Sequence, residues 1–264
     1  MSVFLNLPGI SGAISFGICM VLATWFALVF IKPFLRIFVK RQVAANEVVG
    51  QTLSIFALLY GLLLGLLSIS TYQSALLAED EVIVEATSLA ALHRNTQSYD
   101  EPFRGEAHEI ILSYARYLAA DAWKEQQEGK LPVKGDELMR RLLGMIHGFV
   151  PKSDFHKSIH ADTIKLIDEV RHARLKRLAA LIVGIPDIMW TLVWIGAIIT
   201  IMLVLLLDIR FMLHLLLSGA VTFYLGVMIF ILFALENPFR SEVGVSSEIF
   251  HTTVAIIEGR WPTQ

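Results

Sequence analysis

Four long apolar runs constrain this chain more than any other feature of its sequence. They extend from about Ile10 to Ile31, Val48 to Tyr72, Ile185 to Leu207 and Phe211 to Leu235, and apart from Asp187 they contain no Asp, Glu, Lys or Arg residue. A helix needs about 20 mostly apolar residues to cross the hydrocarbon core of a membrane, where no water can satisfy the backbone. The sequence therefore predicts an all-α integral membrane protein with four transmembrane helices.

The composition agrees with this class and argues against others. The chain is 55% hydrophobic and 17% charged, its mean hydropathy is +0.62, and its formal net charge is −2. Without a long basic tract it has no electrostatic footprint for nucleic acid. The sequence contains no G-x-S-x-G, P-loop, G-x-G-x-x-G or H-E-x-x-H motif. We therefore predict a protein that is not an enzyme and that binds no cofactor.

The crossings are arranged as two hairpins around a polar insert. The sequence KPFLRIFVKR joins the first pair, and only residues 208–210 join the second pair. The insert carries most of the charges, and its apolar positions recur at helical spacing. We predict about four helices in it, with breaks at 100–102, 129–135 and 151–154. The predicted segments are a hairpin at 1–72, the insert at 73–181, a second hairpin at 182–235 and a tail at 236–264.

Because the number of crossings is even, both termini and the insert share one side of the membrane. The positive-inside rule does not decide which side. Basic residues between the first two crossings favour cytoplasmic hairpin tips, whereas Arg171, Arg174, Lys176 and Arg177 flank the third crossing on the other side. The rule discounts long translocated domains, so the charges lean towards an external insert in a cell membrane.

The second crossing carries two distinct helical faces. One face is small, and it contains the G-x-x-x-G pair Gly61 and Gly65 with Ser68, which predicts close helix packing. A bulkier face lies roughly 120° away at 100° per residue. Converging copies of that face would form an apolar constriction of the kind that gates by dewetting; the alternative is contact with lipid or with the other crossings. The pore-lining candidates are Phe56, Tyr60, Leu63, Leu64, Leu67 and Thr71.

Charged residues stand above the membrane on the helices that follow crossing two and precede crossing three. The acidic residues Glu79, Asp80, Glu81 and Glu85 are predicted to face the basic group across an antiparallel pair. One hypothesis is a structural zipper of partly exposed salt bridges, each worth about 0–1 kcal/mol. The other places these charges, including Arg171, Arg174 and Arg177, around a channel vestibule.

The histidines give weaker signals. His156 and His160 are spaced i, i+4, but no third ligand is indicated, so a solvated helix surface is preferred to a metal site. His214 is the one strongly ionisable group within crossing four. We interpret it as an interfacial or packing histidine, with an ion or proton path as the alternative.

Several motifs resemble one family. The segment LENPFRSEV, Leu235 to Val243, resembles the Asn-Pro-Phe or Asp-Pro-Phe segment with which bestrophins leave their last crossing. Over about residues 45–258 the chain is similar to a bacterial bestrophin-like family of unknown function, and more distantly to the bestrophin ion channels. The residues that carry this similarity are Glu85-Ala86, Tyr114, Trp123, Arg171, Arg174, Arg177, Pro186, Trp190 and Pro238-Phe239.

This resemblance implies a homo-oligomer, with a pentamer as the implied ring, that conducts small inorganic ions through the bilayer along the second crossing. It also implies a cytoplasmic insert, against the charge count. Arg240, Ser241, Glu242 and Val243 stand where animal bestrophins have a calcium-binding acidic run, so no calcium site is predicted. The alternative function is a non-conducting membrane scaffold whose insert docks a partner protein. A proton-coupled transporter ranks third, since no carboxylate lies near the middle of a crossing.

Overall fold

A computed structural model of the protein describes residues 9–34, 43–239 and 245–260. Every regular element within these ranges is helical. A five-residue π-helical segment, Leu118–Ala122, separates the helix Phe103–Tyr117 from the helix Trp123–Gln127. The helices are α1 Gly9–Phe30, α2 Val43–Thr96, α3 Phe103–Tyr117, α4 Trp123–Gln127, α5 Lys134–Gly148, α6 Asp154–Ala179, α7 Asp187–Leu206, α8 Phe211–Glu236 and α9 Glu248–Ile257.

The four helices α1, α2, α7 and α8 are long and apolar enough to cross a membrane. The predicted fold class is therefore confirmed. The helix that carries crossing two continues past Tyr72, since α2 runs without a break for 54 residues. The sequence between Tyr72 and Thr96 contains neither glycine nor proline and is rich in alanine, leucine and glutamate, which favour helix.

The breaks predicted within the insert occur close to their predicted positions. Chain segments 97–102, 128–133 and 149–153 separate the helices. Gly129 has a φ of 75°, a conformation that glycine adopts readily at the end of a helix. Ser153 caps α6, since its Oγ accepts a hydrogen bond from the His156 backbone N–H at 3.1 Å. These breaks are local features, which explains why the sequence predicts them.

The described residues cluster into two compact units, one from residues 1–73 and 184–237 and the other from residues 74–183 and 238–264. In the first unit, α1 and α8 approach closely where two glycines meet. A Cβ atom added to Gly226 would lie 2.9 Å from the Cα atom of Gly17. In a membrane such close contact supplies the packing energy that the hydrophobic effect supplies in water.

The second unit has a continuous apolar core. Leu89 and Leu92 of α2 are fully buried there with Ile111 of α3, Leu142 of α5 and Ile167 of α6. The helix α9 joins this core, because buried Phe250 packs against Trp123 with their ring centroids 6.2 Å apart. The predicted borders of the four chain segments stay predictions. Residues 240–243, on which the prediction of no calcium site rests, lie outside the described residues. Residues 35–42, which include most of the basic loop between the first two crossings, also lie outside them.

Candidate functional site

The bulky face of crossing two packs within the single chain. The Tyr60 hydroxyl donates a hydrogen bond to the Val193 carbonyl oxygen of α7 at 2.7 Å, and its ring fills the space beside Gly196. Leu64 and Thr71 are buried on the same side of α2. The other three pore-lining candidates, Phe56, Leu63 and Leu67, are partly buried against the same apolar cluster. The pore role of this face stays a prediction, and α7 occupies much of it in one chain.

The small face of crossing two is open in the single chain. A Cβ atom added to Gly61 or Gly65 would meet nothing within 4 Å, and the Ser68 hydroxyl donates to the Leu64 carbonyl of its own helix. Gly61 and Gly65 therefore do not pack against the other described crossings of the same chain. The role of this face in helix packing stays a prediction, and it requires a contact with another molecule.

A third face of crossing two, not predicted from the sequence, lies about 130° around the helix from the buried face. Its members are spaced by fours and threes along α2, which is the heptad pattern of helices that associate side by side. Each is 58–65% exposed. We call this face the aliphatic seam, and its residues are Ile55, Leu59, Leu62, Leu66 and Ile69.

In the second unit, one pair of the predicted zipper forms a buried ion pair. The Arg177 Nε lies 2.6 Å from Glu85 Oε2, and both side chains are 0% exposed. Arg177 also donates to Gln126 at 2.6 Å, and the Tyr114 hydroxyl donates to Glu85 at 2.5 Å. Burial opposes the charge on Arg177, but the Glu85 carboxylate more than offsets this and raises the Arg177 pKa. The expectation that the zipper consists of partly exposed bridges is wrong for this pair.

Tyr114 belongs to the same network. Burial, and then the negative charge of Glu85, raise the pKa of the Tyr114 hydroxyl well above its usual value. The hydroxyl therefore stays protonated and continues to donate to the carboxylate. Arg174 is also buried, and its Nη1 donates to Tyr114 at 3.3 Å. The network is chemically complete, since none of the buried side-chain polar atoms in the described residues lacks a hydrogen-bond partner.

The remaining stem charges do not all pair as predicted. Lys176 contacts Glu81 at 2.7 Å across the antiparallel pair, as the zipper hypothesis requires. Arg174 instead contacts Asp136 of α5 at 2.5 Å, and Arg171 contacts Asp168 of its own helix at 3.2 Å. Glu79 and Asp80 are exposed. Glu79 and Asp80 are therefore the acidic residues that remain available for the vestibule hypothesis.

His156 and His160, in the first turns of α6, have a packing role. His160 is buried, and its Nδ1 lies 3.0 Å from the Tyr99 hydroxyl, so the prediction of a solvated surface is wrong for His160. His156 stacks on the Tyr99 ring at a centroid distance of 6.1 Å. Among the residues that the structure describes, no group of three or more His, Cys, Asp or Glu residues could hold a metal ion. The aromatic ring of Tyr99 explains the spacing that suggested a ligand pair.

Two polar sites near the ends of the crossings are not predicted from the sequence. Glu236, just before the Asn-Pro-Phe segment, accepts hydrogen bonds from the Ile185 backbone N–H at 2.9 Å and from the Trp190 indole N–H at 3.0 Å. At the hairpin tips, the Lys32 ammonium lies 2.6 Å from His214 Nδ1. His214 is buried, as the packing interpretation expects. Lone polar residues beside an apolar run hint at such sites, but their partners are distant in sequence.

A family model and several solved structures match this chain. A family model described as a Bestrophin-like domain matches residues 18–250. A single-substitution variant of a bacterial bestrophin homologue from Klebsiella pneumoniae has a similar structure, with a TM-score of 0.65 at 12% identity, covering 94% of this chain and 98% of that chain. No curated protein matches the chain.

Two further solved structures are alike. A bacterial bestrophin homologue from Klebsiella pneumoniae solved by Zn-SAD phasing gives a TM-score of 0.61 at 14% identity, covering 94% of this chain and 99% of that chain. A variant of a protein described only as a membrane protein gives a TM-score of 0.64 at 16% identity, with coverages of 95% and 99%. At these identities the likeness concerns the fold alone.

Proposed function

Because the chain belongs to the Bestrophin-like domain family and resembles the bestrophin ion channels, we propose that it forms a homo-oligomeric channel for small ions in a cell membrane. The observation that carries the proposal is the aliphatic seam on α2. This face is exposed along its whole length in one chain. It lies about 130° around α2 from the bulky face, whose Tyr60 packs against α7.

In a ring of parallel copies, each face of α2 would have a defined role. Heptad spacing keeps one face of a helix directed at a common axis as neighbouring helices wind around each other. With the seam at that axis, Gly61 and Gly65 lie on its flank, where their open backbone allows a neighbouring helix to approach closely. The seam would then form a narrow apolar neck, which conducts only when it is wetted.

This arrangement differs from a pore lined by the bulky face. Lining by Tyr60 and Leu64 requires α2 to leave its packing against α7, including the hydrogen bond from Tyr60 to Val193. Lining by Leu62 and Leu66 requires no change within the chain. The two pores therefore predict different effects of substitution.

The test is ion flux from liposomes that contain the purified protein, under separate anion and cation gradients. We expect flux from the unaltered protein and a severalfold higher flux from Leu62→Thr, because a hydroxyl at the neck favours wetting. The matched control is Leu216→Thr, at an exposed apolar position on α8, which should leave the flux unchanged.

Other outcomes would contradict parts of the proposal. A larger response to Phe56→Ala than to Leu62→Thr would return the pore to the bulky face. Equal responses to Leu62→Thr and Leu216→Thr would indicate a general effect of polar substitution in the membrane. An absence of flux under every gradient, from a protein that is folded and correctly inserted, would favour the scaffold function.

A further inference from the structure

A cavity of about 430 Å³ opens where the first crossing ends and the fourth begins. It lies within one compact unit of the chain. Its walls combine two cationic side chains with aliphatic and aromatic ones: Leu28, Val29, Lys32, Pro33, Ile209, Arg210 and Phe211. Lys32 directly follows the apolar run that ends at Ile31, and Arg210 directly precedes the run that begins at Phe211. A helix position at the end of an apolar run lies near the level of the lipid headgroups.

The charge of Lys32 is held in place by its neighbours. Lys32 is only 7% exposed, and its ammonium group donates a hydrogen bond to the Leu207 carbonyl oxygen at 2.7 Å. His214 Nε2 lies 3.0 Å from the Val204 carbonyl, so this nitrogen carries the proton and Nδ1 accepts from Lys32. Leu207 caps the C-terminus of α7, whose partial negative charge stabilises a cation. Lys32 is thus a buried positive charge beside the cavity.

A second positive charge and a helix end line the same cavity. Arg210 is exposed and is the N-cap residue of α8. The first backbone N–H groups of a helix have no acceptor within that helix, and the helix dipole makes this end partly positive. The Lys32 and Arg210 side chains and the start of α8 therefore favour an anion at the same level of the membrane.

The apolar walls restrict which anion fits. Leu28 and Val29 belong to the last turns of α1, on the hydrocarbon side of Lys32, and Phe211 begins α8. A ligand that satisfies the whole cavity carries a phosphate anion at the interface and an acyl chain that continues along α1. We propose that this cavity binds the phosphate headgroup of an anionic phospholipid. The inference does not depend on ion conduction.

Lipid retention by the full-length protein in detergent tests this site. The protein is incubated with equal amounts of phosphatidylglycerol and phosphatidylcholine, and bound lipid is counted by native mass spectrometry. We expect preferential retention of phosphatidylglycerol. Arg210→Gln should lower it about fivefold, since one cation near an anionic lipid surface is worth about 1 kcal/mol. Arg210→Lys should preserve it, and Arg141→Gln, at an exposed cation on α5, should not change it.

A second variant tests the cavity without removing a charge. Val29 is 50% exposed, so Val29→Trp can fill the space while leaving both cations. This variant should lose retention of phosphatidylglycerol while keeping the melting temperature of the unaltered protein. Competition by millimolar inorganic phosphate or glycerol 3-phosphate would overturn the lipid assignment in favour of a soluble phosphate. Equal retention of both lipids, or full retention by Arg210→Gln and Val29→Trp, would overturn the site.

Discussion

Glu85 and Arg177 form an ion pair from which solvent is excluded, and burial determines what the loss of either side chain costs. Removing one partner leaves an uncompensated charge in the core, which typically costs about 3–5 kcal/mol. We expect Glu85→Gln and Arg177→Met each to destabilise the protein by about this amount. The double variant should lose less than the sum of the two, because it leaves no unpaired charge.

Thermal or denaturant unfolding of the purified protein in one detergent measures these differences. Lys176→Gln serves as the control, since Lys176 is 66% exposed in its contact with Glu81 and such pairs contribute about 0–1 kcal/mol. A loss for Arg177→Met no greater than that for Lys176→Gln would contradict the assignment. Simple additivity in the double variant would show that the two side chains act independently.

Two glycines in the membrane unit are predicted to respond in opposite ways to alanine. A methyl group at Gly196 would overlap the Tyr60 ring, and overpacking of this kind costs about 1–3 kcal/mol. A methyl group at Gly61 meets nothing within 4 Å in the chain, and alanine favours helix by about 0.5–1 kcal/mol.

Melting temperature and oligomeric state, recorded together, distinguish these effects. Gly196→Ala should lower the melting temperature. Gly61→Ala should keep the fold, and in the proposed ring it should weaken the contact between copies, which appears as a smaller particle in detergent. A Gly196→Ala variant as stable as the unaltered protein would contradict the close packing of Tyr60.

At the scale of helices, histidines join elements of the insert. His93 at the end of α2 lies 2.8 Å from His108 of α3, nitrogen to nitrogen, and His160 of α6 contacts Tyr99. Burial, followed by the nearby charge of His108, lowers the pKa of His93 below its ordinary value of 6.5. Burial, followed by the charge of His147, lowers the pKa of His160 in the same direction.

The sign of the pH dependence follows from these shifts. A depressed pKa in the folded state means that the unfolded chain takes up protons first as the pH falls. The stabilising contribution is therefore complete above pH 6.5 and is lost as the pH falls towards the lower folded pKa values. We expect a lower melting temperature at pH 5.5 than at pH 7.5. The difference should shrink in His93→Gln and His160→Gln but not in His251→Gln, whose histidine is exposed on α9. Equal pH dependence in all variants would contradict this origin.

The helices of this protein were more predictable than their faces. Gly129, Pro102 and the Ser153 cap end or begin helices through interactions a few residues away, so the sequence locates the breaks. Whether a residue of crossing two faces α7 or stays exposed depends on a helix more than 100 positions distant. For that reason the sequence predicts the bulky face of crossing two as a stripe of residues, but it does not predict the packing of Tyr60 against Val193 and Gly196.

The stem charges show the same limit. Helical geometry predicts that the acidic stem of α2 faces the basic stem of α6, and Lys176 and Glu81 do meet. The burial of Glu85 and Arg177 comes instead from Tyr114, Gln126 and Phe250, which belong to other elements. A sequence pattern carries no information on such third partners, so it predicts the pairing but not the energy.

For the whole molecule, the aliphatic seam continues into a charge on the same helix. Asp80 lies eighteen positions after Leu62, which is five full turns at 100° per residue, so both point in the same direction from the helix axis. Asp80 is exposed. In a ring of copies with the seam at the axis, the Asp80 carboxylates would form an acidic ring at the channel mouth, where they would concentrate cations.

Glu79 provides a matched control for this ring. It is an exposed carboxylate one residue away, rotated by about 100° around the helix, so it lies away from the axis that the seam defines. We expect Asp80→Asn to lower the cation-to-anion permeability ratio several-fold and Glu79→Gln to leave it nearly unchanged. Reversal potentials in planar bilayers under a salt gradient measure the ratio. The effect of Asp80→Asn should be greatest at about 0.01 M salt and smaller near 1 M, where the Debye length falls to about 3 Å. Equal shifts from both variants would mean that the stem charges act only through the net charge of the insert, and the seam would then not define the pore axis.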